Sequence, residues 1–257
     1  MRRKVFIPNK KGFKLAVIIE RPDQKGRFPT VLLFHGFKGY KEEPTYSELA
    51  KALLKAGIGS IRFDASGFGE SEGDFDKEYR LSNYLNDSTM IYHSSKAIPW
   101  VDQKRLGVMG QSMGGALAII LASKIPEINA VVSVSPPDIF ATKDDFGKKL
   151  EEWKEKGYLE IDSSRMGKIK VPYDYVLDAK KYDIGHYASK VKSPKLFILG
   201  LADATVDPEQ TRAVYQAASE PKKLVEIEGM NHFYKNDPAI LEKVNKYIVE
   251  FYKKPLL

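Results

Sequence analysis

Short, almost unbroken apolar runs alternate along the chain with longer stretches in which apolar residues recur every three or four positions. The runs at 14–19, 30–34, 58–63, 105–109, 130–134, 195–199 and 222–227 are rich in Val, Ile, Leu and Phe and predict strands. Between them the spacing predicts helices over 42–56 (stopped by Gly57), over 81–98, from about 113 to 125, and near 208–219 and 237–252. Runs that are apolar throughout belong to strands covered on both faces, and strands separated by helices build a mostly parallel sheet. The fold class expected is α/β.

Residues 138–187 break this alternation. They hold a charged helix over 148–156, a polar middle at 161–165, no evident buried strand, and eight aromatic residues, among them Phe146, Trp153, Tyr173 and Tyr175. Fifty residues are too many for a plain loop in a compact domain. The expected organisation is a core formed by 1–137 and 188–257 with an inserted cap at 138–187. The cap's aromatic rings either pin it to the body or face a substrate.

At 257 residues with 43% hydrophobic and 29% charged, the chain can bury a large single core and is too apolar for disorder. No apolar run approaches the roughly 20 residues of a membrane-spanning helix. The basic start at 1–4 is followed by only three apolar residues before Pro8, so no signal peptide is read and a cytoplasmic location is expected. The absence of cysteine excludes disulfides, thiolate metal sites and a Cys nucleophile. The net charge of +7 arises in residues 1–29, with nine basic and two acidic residues, and the rest is balanced. That points to a basic edge hairpin and not to a nucleic-acid docking face. Neither a nucleic-acid nor a membrane partner is expected, and monomer and homodimer both stay open.

Chemistry concentrates at Gly110-Gln-Ser112-Met-Gly114, placed between a buried strand and an Ala-rich helix. G-x-S-x-G in that setting is a nucleophile elbow, in which glycines remove the Cβ atoms that a very tight turn cannot hold. Ser112 is thereby lifted to the carboxyl edge of the sheet, at a helix N-terminus that favours developing negative charge. A serine hydroxyl needs a base. Of four histidines, His35 directly follows a strand, His93 lies inside a helix and His186 sits near the cap's exit. His232 lies in the loop after the last predicted strand, at the nucleophile's edge, and is the expected base. Asp203, reached from strand 195–199 through a glycine turn, is the expected acid; Asp207, before Pro208, reads as a helix N-cap. The order Ser112, Asp203, His232 is that of α/β-hydrolases. In that arrangement the loop at 35–39 supplies one oxyanion-hole amide and the residue after the nucleophile the other, which assigns the main-chain N–H groups of Phe37 and Met113. No metal site is visible.

The motifs at 35–39, 62–73, 110–115, 200–203 and 229–232 together resemble the α/β-hydrolase superfamily, most closely small serine esterases with an inserted cap, including bacterial cinnamoyl (feruloyl) esterases. The resemblance implies an eight-stranded, mostly parallel sheet whose second strand is antiparallel, an active site beneath the cap, and acyl transfer without a cofactor. A serine carboxylesterase acting on small to medium esters is expected, with aryl or hydroxycinnamoyl esters as candidate substrates. Trp153, Tyr173 and Tyr175 are the candidate substrate contacts. An acyl-peptidase or thioesterase using the same triad is the alternative. A non-catalytic scaffold is the minor one, since no triad member or elbow glycine is missing.

Overall fold

The computed structural model describes residues 1–140, 149–163 and 165–257. Phe146, and Lys148 at the start of the expected cap helix, lie outside the described residues. The strands are β1 (Arg2–Pro8), β2 (Lys14–Glu20), β3 (Phe28–Phe34), β4 (Gly59–Phe63), β5 (Val101–Gln111), β6 (Ala130–Val134), β7 (Tyr158–Ser163), β8 (Gly167–Pro172), β9 (Lys195–Gly200) and β10 (Lys222–Ile227). Eight of them form one sheet in the order β1-β2-β4-β3-β5-β6-β9-β10. β2 is antiparallel to both its neighbours, β1 and β4. All other pairs in this sheet are parallel. This is the α/β-hydrolase sheet. β3, β4, β6 and β9 are buried at every residue, which is why β3, β6 and β9 read as nearly continuous apolar runs; β4 also buries Ser60 and Arg62, and Arg62 is paired with Glu20.

The helices are α1 (Pro44–Lys55), α2 (Phe75–Glu78), α3 (Leu81–Ser95), α4 (Met113–Lys124), α5 (Leu150–Lys156), α6 (Asp174–Ala179), α7 (Ile184–Lys190), α8 (Pro208–Ala217) and α9 (Pro238–Leu256). α1 and α9 bury their apolar stripes with Val31, Leu33 and Met109 on one face of the sheet. α3, α4, α7 and α8 cover the other face. α4 is buried all round from Met113 to Ala122, so its sequence is apolar all round and carries no polar stripe.

The basic surplus of the N-terminal arm is answered across space. Arg2 meets Glu42 at 2.7 Å, Lys4 meets Glu70 at 2.6 Å and Lys11 meets Glu78 at 2.6 Å. These exposed pairs contribute at most about 1 kcal/mol each, but they account for where the charge goes.

Between β6 and β9 the described residues hold α5, the β7–β8 hairpin, α6 and α7. The hairpin escapes a search for buried strands because only alternate residues turn inward: Leu159, Ile169 and Val171 are buried, with charged residues between. Trp153 of α5 packs against it, buried, its Nε1 donating to the carbonyl oxygen of Val171 at 2.8 Å. α6 and α7, short helices not read from the sequence, lead back to the body, where α7 packs against α4 and α8. Among the described residues no helix is long and apolar enough to cross a membrane.

Candidate active site

β5 delivers Ser112 and α4 departs from it. Ser112 has φ 57° and ψ −125°, a sparsely populated conformation costing of order 1–3 kcal/mol that surrounding packing must enforce. The packing is visible at the two glycines. A Cβ on Gly110 would lie 1.9 Å from the carbonyl oxygen of Gly114, and one on Gly114 would lie 2.2 Å from that of Phe34. Strand, turn and helix therefore meet backbone to backbone, with the Ser112 N–H donating to Val134 O at 2.8 Å.

The loops after β9 and β10 carry the other two groups. Asp203 and His232 are both buried, and His232 Nδ1 lies 2.8 Å from Asp203 Oδ2. Asp203 Oδ1 accepts from the Thr205 and Val206 amides at 3.0 and 2.9 Å, which fixes the carboxylate's orientation. The two loops are pressed together: a Cβ on Gly200 would lie 2.1 Å from Met230 O, and the Ala202 N–H donates to that oxygen at 3.1 Å. Asp207 caps α8, accepting from the Glu209 N–H at 2.9 Å. His93 and His186 are exposed on α3 and α7.

The loop after β3 is held by three tyrosines that the sequence did not signal. The His35 N–H donates to the Tyr84 hydroxyl at 2.8 Å, that of Gly36 to Tyr46 at 3.1 Å and that of Lys38 to Tyr79 at 2.9 Å. The amides on either side of Phe37 are thus tied back. Burial pushes all three phenols above their usual range, so they stay protonated. His35 is buried too, and burial pushes its imidazole down. Its Nε2 accepts from the Ala65 N–H at 3.1 Å, leaving Nδ1–H to donate to Gly36 O at 2.9 Å. His35 is a strut of this loop. Behind it, buried Lys41 donates to Asp64 at 2.7 Å and also meets Glu70. Lys4 and Lys41 hold the Glu70 carboxyl down at about 2.

A cavity of about 280 Å³ opens over these elements, lined by Ser112, His232, Phe37 and Met113 together with Gln111, Trp153 and Tyr175. Phe140, Thr205, Val206 and Phe233 add to its wall. Tyr175 lies 4.9 Å from the Phe37 ring centroid and stacks on Tyr79 at 6.3 Å and on Trp153 at 6.3 Å. Its hydroxyl meets Met113 Sδ at 3.1 Å. Trp153 and Tyr175 therefore pin the segment to the body and also wall the cavity. Tyr173 is not among the lining residues. It stands at the N-terminal boundary of α6, two positions from Tyr175, and two helical steps place side chains about 200° apart. Polar residues not anticipated from the sequence also line the cavity: Lys38, and the ion pair of Lys235 with Glu43 at 2.7 Å.

The family model described as "Serine aminopeptidase, S33" matches residues 27–171. An uncharacterised 31.7 kDa protein of Escherichia coli is 25% identical over 94% of this chain and 96% of its own length. Esterase FrsA of an Enterobacter species is 24% identical over 96% of this chain and 59% of its own length. Among solved structures, Est1E of Butyrivibrio proteoclasticus with ferulic acid bound superposes with a TM-score of 0.80, at 24% identity over 98% of both chains. That last likeness speaks to fold.

Proposed function

The chain belongs to the serine aminopeptidase, S33 family of hydrolases, and from that premise we propose that it is a serine carboxylesterase working through an acyl-enzyme. The observation that carries the reading is the 2.8 Å contact of Asp203 with His232, whose imidazole shares one cavity wall with Ser112. His232 takes the hydroxyl proton as Ser112 Oγ attacks the ester carbonyl, and Asp203 steadies the imidazolium that forms. The amides of Phe37 and Met113 receive the oxyanion, with the flanking amides already committed to tyrosines. The proton passes to the leaving alcohol, and water repeats the sequence on the acyl-serine. Residues 138–187 act as the cap, and an aryl or medium acyl group lies along Trp153, Tyr175 and Phe37.

Ester hydrolysis is favoured over aminopeptidase action by the charges in the cavity. An aminopeptidase must hold a free α-ammonium group against an acid. The acid lining this cavity among the described residues, Glu43, is already paired with Lys235.

The test is 4-nitrophenol release from 4-nitrophenyl esters of C2 to C12 acids, beside hydrolysis of methyl ferulate and an aminoacyl 4-nitroanilide, with Ser112→Ala as control. Ester turnover that vanishes in Ser112→Ala supports the reading. Turnover of the anilide alone overturns it in favour of a peptidase.

A further inference from the structure

Lys38 holds an unusual position among the charges of the cavity. It follows Phe37 in the loop after β3, with φ 60°, and its main-chain N–H is fixed by the Tyr79 hydroxyl. Its side chain is half-buried on the cavity wall and reaches the hairpin opposite, where Nζ donates to the carbonyl oxygen of Asp162 at 2.8 Å. A lysine ammonium carries three donors, so two remain without a protein acceptor among the described residues. The other lysine of the wall among the described residues, Lys235, is neutralised by Glu43. Lys38 forms no such close ion pair among the described residues. The Asp162 carboxylate favours its charge from a distance, while burial first and then Lys235 push its pKa down. A second cation stands at the same edge, Arg165, whose guanidinium lies 5.5 Å from the Tyr40 ring centroid.

An under-paired, partly desolvated ammonium next to the oxyanion loop is an anion receptor in waiting. We propose that Lys38 recognises a carboxylate carried by the substrate, so that the preferred esters are acidic ones, such as half-esters of dicarboxylic acids. The inference rests on the esterase reading and narrows it to a substrate class. A carboxylate there takes up the two idle donors in a setting where charge-assisted hydrogen bonds are strong. Neutral esters of the same length leave the half-buried ammonium without a carboxylate partner.

The experiment compares kcat/KM for two matched pairs of chromogenic esters. The first is mono-4-nitrophenyl adipate against 4-nitrophenyl methyl adipate, with the acid on the acyl side. The second is 3-carboxy-4-nitrophenyl butyrate against its methyl ester, with the acid on the leaving group. The native enzyme is expected to prefer the acidic member of one pair, and the responding pair identifies the half that faces Lys38. Lys38→Met is expected to reduce that preference about tenfold or more through KM, the scale of one hydrogen bond to a charged group. Lys38→Arg retains most of it. The proposal is overturned if the native enzyme shows no preference in either pair. It is also overturned if Lys38→Met slows acidic and neutral members equally, which makes Lys38 a latch between loop and hairpin only. Failure of the native enzyme to exceed Ser112→Ala on all four esters sinks the esterase reading itself.

Discussion

Gln111 Nε2 donates to the carbonyl oxygen of His232 at 2.8 Å, so the residue that precedes Ser112, the proposed nucleophile, holds the loop that bears the imidazole. The relative placement of Ser112 and His232 is thereby tied through the residue next to Ser112 and the main chain of His232 itself. Replacing Gln111 with Leu removes the tie and leaves the carbonyl of His232 without it. Misplacing a reacting group by about 1 Å costs of the order of 10²-fold. A drop in kcat of that order is expected with KM little changed, measured on a neutral 4-nitrophenyl ester beside a thermal melt that shows the fold intact.

The two acids near β9 have different surroundings and different expected consequences. Asp203→Asn keeps the shape but cannot hold the imidazole in its working tautomer, a change that lowers kcat about 10⁴-fold in well-studied triads. Asp207→Asn still caps α8, because asparagine is as good an N-cap as aspartate. Activity near that of the native enzyme is expected. The reverse ranking in a kcat comparison would assign the acid to Asp207.

The tyrosines that hold the loop after β3 offer a third test. Tyr46→Phe and Tyr84→Phe each strip a buried amide of its acceptor, and an unsatisfied buried group costs about 1–3 kcal/mol. Urea unfolding should register that loss in both variants. kcat should fall as well, because Gly36 and His35 set the position of Phe37.

Acid sensitivity follows from Glu70. Its carboxyl, held near 2 against an ordinary 4.5 by Lys4 and then Lys41, contributes stability that is fully present above pH 4.5. That contribution is lost as pH falls through about 2. In Glu70→Gln it is absent throughout, so the stability gap between native protein and variant should narrow as pH is lowered from neutrality towards 3. Urea midpoints at two pH values measure it.

Most of the sheet was legible because burial on both faces leaves an apolar run, as in β3, β6 and β9. β1 was less so: its first three residues are basic and exposed, the rest alternate between half-buried and exposed, and pairing with β2 makes it a strand. The hairpin β7–β8 hid for the same reason, with buried residues separated by charges. At the site, G-x-S-x-G is readable because a close backbone approach permits nothing but glycine. Asp203 and His232 are readable because strand ends point to one edge. Tyr46, Tyr79, Tyr84 and Lys38 carry no such signature. Each is an ordinary amphipathic residue whose hydroxyl or ammonium finds its partner across the fold, and no local spacing announces that. Tyr173 shows the limit from the other side: an aromatic in the same segment as Tyr175 that is not among the residues lining the cavity.

The contact between Gly200 and Met230 has a consequence for how this molecule could be inherited or rebuilt. Because β9 and β10 are neighbours and their outgoing loops touch main chain to main chain, Asp203 and His232, the proposed acid and base, lie in one contiguous cassette from about residue 195 to 232. It meets the half of the sheet that carries Ser112 through β6, through the Thr211 hydroxyl donating to Pro136 O at 3.0 Å, and through the Gln111 amide on His232 O. Such a cassette can be exchanged between related chains as a unit, carrying its internal proton geometry with it. What a graft must re-establish is the seam with Gln111, and recombinants cut inside the cassette should fail where those cut at 190–195 succeed.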